Sequence, residues 1–233
     1  MSIEENVIEV KRRIEEAAKQ SGRRPEDIIL VAATKMNDVE RVKEAVAAGV
    51  DVCGENRVQE LREKNELHAY DGKPLHFIGR LQKNKVKYLV GVVDLIQSVD
   101  SIDLLEAINK RAESMNVVQD ILLEINIGKE DAKGGFEEEK IYEVLEQVGK
   151  YKNIFVKGLM AIPPICNEAK ENIPYFVAMR KLFVDIASKK YDNVCMDFLS
   201  MGMTSDYETA ILEGSNMVRV GTGIFGARNY GEK

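Results

Sequence analysis

The chain has 233 residues and a formal net charge of −6, and 45% of its residues are hydrophobic, which is an ordinary composition for a globular protein. The acidic balance gives no electrostatic support to nucleic-acid binding, and three scattered cysteines are too few for a disulfide framework or a zinc ribbon. No apolar run approaches the ~18 residues of a membrane-spanning helix, and the acidic N-terminus lacks a signal-peptide core. We therefore expect a reduced, cytoplasmic protein.

The first segment has the pattern of an amphipathic helix, predicted from about Ser2 to Ser21 and ended by Gly22. Its apolar residues recur close to the 3.6-residue period of a helix, so one face is apolar and the other is charged. The next segment, residues 28–35, is apolar without a polar break and ends on Lys35. A run of this length, rich in β-branched residues, predicts a strand buried on both faces.

Apolar runs and helical patterns alternate through the rest of the chain, with a lysine-rich helix predicted near residues 81–89 and another helix at residues 204–212. Eight strands at such spacings, in about 230 residues, predict an α/β protein. A doubly wound open sheet also alternates strands and helices but rarely needs eight strands. We expect one domain over residues 1–233, a single (β/α)8 TIM barrel with an extra N-terminal helix. The seven further strands are predicted at residues 51–56, 75–79, 92–97, 117–127, 154–160, 193–199 and 217–220.

Lys35 ends a buried strand, and the carboxyl ends of parallel strands are where α/β folds bind ligands. An amine held against apolar walls has a lowered pKa, because burial disfavours the charged form. A neutral lysine amine can form a Schiff base with an aldehyde. The alternative is a lysine that closes the strand and points to water.

Two loops rich in small residues follow the last two predicted strands, at residues 200–206 and 219–223. Small residues let the backbone approach an anion, and we expect Thr204 and Ser205 to open a helix whose free amides favour negative charge. Barrels commonly hold a phosphate at these two loops. The two loops together predict a phosphate cradle, whereas ordinary turn glycines and a helix cap would explain either loop alone.

Arg219 lies inside the last predicted strand, where an unpaired buried charge would be costly. Its predicted partner is either a carboxylate, such as Glu55 or Asp197, or an atom of a ligand.

The chain resembles the pyridoxal phosphate-binding protein family of the alanine-racemase-like barrel class. No single block carries the resemblance, but the matching blocks follow in order over almost the whole chain. They lie at residues 31–35, 54–60, 76–85, 97–101, 158–160, 199–204 and 218–228.

The resemblance implies a role for each matching position. Lys35 would carry pyridoxal 5′-phosphate covalently as a Schiff base, and Arg219 would face the pyridine nitrogen. Asn56 and His76 would lie near the cofactor ring. The family usually has serine where this chain has Thr204, and threonine keeps the hydroxyl. The implied phosphate cradle consists of Ser200, Gly202, Met203, Thr204, Gly221 and Thr222.

A cation beside the pyridine nitrogen disfavours protonation of that nitrogen and leaves the ring a weak electron sink. Related racemases add a second domain and a tyrosine base, which we do not expect here. The resemblance thus implies a protein that acts in vitamin B6 homeostasis without robust catalysis. We expect this protein to be a monomer. Its partners would be the cofactor and the apo-enzymes that need it.

Two other functions stay open. One is a minimal amino-acid racemase that uses Lys35 as its base. The other is a nucleic-acid-binding barrel that uses the basic run at residues 83–87, although such a run on a helix is more often a solvated face. The two histidines lack metal-ligand spacing, so we expect no metal site. The loop at residues 129–133 is predicted to be mobile or to cover the cofactor.

Overall fold

The computed structural model describes residues 1–130 and 134–227, so Lys133 of the predicted loop and Arg228 of the last matching block lie outside the described residues. Eight parallel strands close into one barrel in sequence order, and the last strand pairs with the first. This architecture confirms the predicted (β/α)8 barrel. The strands are β1 (Ile29–Ala33), β2 (Val52–Glu55), β3 (Leu75–Phe77), β4 (Leu95–Val99), β5 (Gln119–Ile125), β6 (Ile154–Ala161), β7 (Val194–Met203) and β8 (Met217–Val220).

Helices surround the barrel, and the first of them is the predicted extra N-terminal helix. It begins with a capping box in which the Ser2 hydroxyl accepts the Glu5 amide and the Glu5 carboxylate accepts the Ser2 amide. Asn6 on this helix donates to the carbonyl of Ile224 at 2.8 Å and so ties it to the last helix. The helices are α1 (Ile3–Gln20), α2 (Val39–Ala47), α3 (Val58–Glu66), α4 (Ile102–Met115), α5 (Ile141–Val148), α6 (Ile173–Ala187), α7 (Tyr207–Leu212) and α8 (Thr222–Phe225).

The strands divide their side chains between two apolar layers. On β1, Leu30 and Ala32 pack in the large layer between barrel and helices, whereas Val31 and Ala33 pack in the smaller cluster inside the barrel. Successive strand residues point to opposite faces. Lys35 continues the inward series of Val31 and Ala33, which is why the β1 sequence brings a lysine to the carboxyl mouth of the barrel.

The prediction of a lysine-rich helix at residues 81–89 is wrong. The segment forms a short 3-10 helix, Lys83–Tyr88, in which Val86 is the buried residue. Leu81 and Leu89, at the two ends of the predicted segment, are also buried, but the turns between them are of the tighter 3-10 kind. One of its lysines, Lys83, forms an ion pair with Asp103 at 2.6 Å.

The prediction that Thr204 and Ser205 open a helix is also wrong. β7 continues to Met203, and α7 begins only at Tyr207. Gly202 has a φ of +92°, and a side chain there would lie 2.5 Å from the Ala210 methyl group. Only glycine therefore lets the strand run on against α7.

Among the described residues no helix is long and apolar enough to cross a membrane. The same part of the chain gathers no three His, Cys, Asp or Glu side chains that could hold a metal ion.

Candidate functional site

Lys35 lines a cavity of about 330 Å³ at the carboxyl end of the barrel, between β1 and β8. Gly221 and Thr222, which follow β8, line the same cavity. A side chain at position 221 would make only ordinary contacts with Ala33, so the glycine leaves open space beside the β1 end. The structure thus brings together three of the residues that the resemblance implied.

Arg219 lies buried at the mouth of the barrel on β8, 4% exposed. Its Nη1 donates to the Ser200 hydroxyl at 2.5 Å, and its Nη2 donates to the Ala161 carbonyl at 2.9 Å. The expectation of a partner at Glu55 or Asp197 is wrong. Those carboxylates pair with lysines elsewhere, at 2.8 and 3.4 Å respectively, because neither lies on the inner face of the carboxyl mouth.

A chain of hydrogen bonds runs from Arg219 across the barrel interior to His76. The Ser200 hydroxyl donates to Gln97 Oε1 at 2.6 Å, and Gln97 Nε2 lies 2.9 Å from His76 Nδ1. The Gln97 amide donates, so His76 Nδ1 must accept and the ring is neutral. Burial lowers the pKa of His76 to about 4, which agrees with a neutral ring.

The sequence argument did not assign a role to Gln97. Its only signal was a polar pair, Gln97 and Ser98, inside the otherwise apolar strand β4. Both side chains are buried, and buried polar groups require partners. That rule predicts a polar contact for Gln97 but cannot identify Ser200 and His76 as the partners without the barrel geometry.

Glu124 is a second inward-facing residue that the sequence argument missed. It follows the interior residue Leu122 by two positions on β5. Burial raises its pKa to about 7, and the nearby Asp100 carboxylate adds to the increase, while Arg219 and Arg80 oppose it. Burial also lowers the pKa of Arg219, to about 10, so the guanidinium stays charged at neutral pH.

The loops after β7 and β8 meet through one hydroxyl. Thr204 Oγ1 accepts the amides of Gly221 at 3.2 Å and Gly223 at 3.3 Å. The turn after Met203 is fixed by Asp206, whose carboxylate accepts the Met203 amide at 2.7 Å. Gly202 and Met203 are the last two residues of β7, directly before this turn.

Asn56 does not line the cavity that contains Lys35. It lines a second cavity, of about 920 Å³, which opens over the ends of β2 to β5 and also includes Arg80 and Asp100. Asn56 Oδ1 is buried and has no hydrogen-bond partner within the described part of the chain. Such an atom needs a donor from a ligand or a water molecule.

Arg41 on α2 adds a positive charge to the first cavity, and no sequence pattern pointed to it. It lines that cavity and donates through Nε to Asn37 Oδ1 at 3.1 Å. Another of its nitrogens donates to the carbonyl of Phe225, so α2 and α8 are joined at the wall of the cavity.

Together these features define a parallel (β/α)8 barrel with a cavity at the carboxyl end that contains Lys35 and Arg41, and with a buried arginine on β8. The family described as "Alanine racemase, N-terminal domain" matches residues 6–229. A protein named pyridoxal phosphate homeostasis protein from Aquifex aeolicus is 44% identical over 97% of this chain and 98% of its own length. The protein of that name from Escherichia coli K12 is 35% identical over 99% of both chains. The chain belongs to the pyridoxal phosphate homeostasis protein family.

Solved structures agree with this membership. PipY of Synechococcus elongatus with PLP bound is 31% identical, with a TM-score of 0.79 over 92% of this chain and all of PipY. An alanine racemase of Clostridium difficile is 16% identical, with a TM-score of 0.68, and this chain covers 57% of it. The racemase shares the fold.

Proposed function

We propose that this protein binds pyridoxal 5′-phosphate reversibly on Lys35 and acts in intracellular vitamin B6 homeostasis without robust catalysis. The observation that carries the proposal is the position of Lys35. Lys35 lines a cavity with the residues after β8, and the buried Arg219 lies on β8 itself. Relatives over the full length of the chain bear the name pyridoxal phosphate homeostasis protein, and PipY was solved with PLP bound.

The residues present fit the cofactor. The open space at Gly221, the cationic side chain of Arg41 and the short helix α8 suit a phosphate group at the end of β8. The unpartnered Asn56 Oδ1 suits a donor from a ligand that reaches toward β2. Lys35 would hold the group covalently, by attack of its amine on the aldehyde carbon with loss of water.

Arg219 argues against robust catalysis. The cofactor supplies an electron sink to an enzyme when its ring nitrogen is protonated. Arg219 stays charged at neutral pH and is fixed by Ser200 and Ala161, so a ring nitrogen facing it would remain unprotonated. We therefore assign Ser200 and Arg219 to holding the ring edge, with His76 behind them as a neutral support.

The phosphate cradle is proposed to consist of the loops after β7 and β8. Thr222 would donate to the phosphate directly, because its side chain is exposed and it lines the cavity. Thr204 would act mainly by fixing the loop, since its oxygen already accepts two amides. Gly202, Met203 and Gly221 complete the set, whereas Ser200 is bonded to Arg219 and Gln97 and stays assigned to the ring edge. Apo-enzymes that need the cofactor are the protein partners that this function implies.

The purified protein should absorb near ~420 nm after addition of pyridoxal 5′-phosphate, as protonated Schiff bases do. Borohydride should fix about one equivalent of cofactor per chain. Bovine serum albumin treated in parallel measures nonspecific reaction of surface amines. A spectrum that equals the sum of free cofactor and free protein would contradict the proposal.

A further inference from the structure

The backbone on both sides of Lys35 is held by one ammonium group on α3. Lys64 Nζ donates to the Thr34 carbonyl at 2.9 Å and to the Glu60 carboxylate at 3.1 Å. The same oxygen of Glu60 accepts the amide of Met36 at 2.7 Å. The residue before Lys35 and the residue after it are therefore tied to one ion pair, which we call the α3 clamp.

Glu55 extends the α3 clamp to β2. It is completely buried, and its Oε2 accepts the Lys64 ammonium at 2.8 Å and the Thr34 hydroxyl at 2.8 Å. Its other oxygen accepts the amide of Asn56 at 2.9 Å. Desolvation largely offsets the attraction within a buried ion pair, so stability alone is a weak reason for such a group. The group instead fixes the two strand ends that present Lys35 and Asn56.

The backbone conformation of Met36 needs the support that the α3 clamp provides. Its φ is +60°, in the left-handed region that residues other than glycine rarely adopt. Half of its side chain is exposed, so packing does little to enforce this backbone. Asn37 helps, through its side-chain bond to the Lys35 carbonyl at 3.1 Å, but the contact on the Met36 amide itself is Glu60.

The Glu60 carboxylate is charged at neutral pH. Burial works to raise the pKa of Glu60, but the Met36 amide and Lys64 outweigh burial and hold it below its usual value. A charged acceptor makes a stronger hydrogen bond than a neutral one.

We propose that Glu60, held by Lys64, is a positioning residue for ligand capture: it keeps Met36 in the left-handed conformation and so aims the Lys35 amine into the cavity. The inference rests on the proposed function, since it assumes that Lys35 is the attacking amine. We assign to Glu60 the role of holding the Met36 amide, to which it is bonded at 2.7 Å.

The test compares four variants with the wild-type chain: Glu60→Ala, Glu60→Gln, Met36→Gly combined with Glu60→Ala, and the control Glu63→Ala. Glu63 is exposed on the same helix and bonds only the Gln59 side chain among the described residues. Two quantities are measured. The first is hydrogen exchange of the Met36 amide without ligand, and the second is the rate of borohydride-fixed adduct formation with pyridoxal 5′-phosphate.

Glu60→Ala should accelerate exchange at Met36 and slow adduct formation, each by about tenfold or more, as expected for a lost bond to a charged acceptor. Glu60→Gln should lie between Glu60→Ala and wild type, because its amide oxygen still accepts. Met36→Gly should restore adduct formation in the Glu60→Ala background, since glycine adopts positive φ without strain. Glu63→Ala should behave as wild type.

A Glu60→Ala variant that forms adduct at the wild-type rate would overturn the inference, as would a loss that Met36→Gly fails to restore. A wild-type chain that forms no adduct would instead overturn the proposed function, and with it the premise of the inference. The Met36 exchange measurement does not depend on the ligand and separates these two failures.

Discussion

At the scale of single residues, the site contains buried polar side chains that are either neutral or hydrogen-bonded to other groups of the protein. Arg219 is charged but bonded to Ser200 and Ala161, and His76 is neutral and bonded to Gln97. Burial lowers the pKa of both groups, and the lowered pKa of His76 makes folding depend on pH below about 6.5.

His76 should make the protein less stable as the pH falls from about 6.5 to about 4. Burial lowers its folded pKa to about 4, so in this window the unfolded chain binds the extra proton and the free energy of unfolding decreases. The lowering corresponds to at most ~3 kcal/mol. His76→Asn keeps an acceptor for Gln97 but does not titrate, so its urea-unfolding free energy should depend less on pH than that of wild type.

His68→Asn is the matched control, because His68 is the other histidine of the chain and its side chain is 76% exposed. It should leave the wild-type dependence on pH in place. Equal slopes for His76→Asn and wild type would refute the neutral, buried state of His76.

At the scale of elements, the apolar runs of the sequence were enough to predict eight strands and a closed barrel. Lys35 could be placed at the carboxyl mouth because a strand predicted to be buried on both faces ends on it. Two predictions failed locally: the lysine-rich segment forms a short 3-10 helix, and β7 runs on through Gly202 to Met203, so that the next helix begins only at Tyr207. The contacts of Arg219 could not be predicted, since they join strands far apart in sequence and depend on closure of the barrel.

Thr204 and Thr222, in the loops after β7 and β8, should differ in what their substitution changes. Thr222→Val should weaken binding of pyridoxal 5′-phosphate by about tenfold, the value of one charge-assisted bond, without changing stability. Thr204→Val removes the acceptor of two amides and should lower both affinity and stability, the latter by about 1 kcal/mol. Absorbance titration and thermal unfolding measure the two effects.

Pyridoxal, which lacks the phosphate, is the control ligand for both variants. Thr222→Val should bind it as wild type does. An equal loss of affinity for pyridoxal and pyridoxal 5′-phosphate would locate the phosphate cradle elsewhere in the molecule.

At the scale of the whole molecule, the barrel shares its fold with an alanine racemase, but we propose that it lacks robust catalysis. The fold likeness to the Clostridium difficile racemase covers 57% of that enzyme. Shared fold does not establish shared reaction, which depends on the site. We propose that the charged Arg219 meets the ring edge, and Lys35 is the one base that we assign to the cavity.

We therefore expect negligible racemisation of alanine or serine. Loss of one general base alone costs about 10²–10⁴-fold in rate, and a weak electron sink costs more. Chiral chromatography after incubation in heavy water measures both racemisation and α-proton exchange. Slow exchange without turnover fits the proposal, because Lys35 alone could cause it. Racemisation on the order of 1 s⁻¹, abolished by Lys35→Ala, would make the protein an ordinary enzyme.

The most direct test of the central claim is to locate the borohydride-fixed cofactor by peptide mass spectrometry. Wild type and the control Lys43→Ala, which changes an exposed lysine on α2, should carry about one equivalent on the peptide that contains Lys35. Lys35→Ala should carry none and should lose the absorbance band. Full labelling of Lys35→Ala at another lysine would contradict the account.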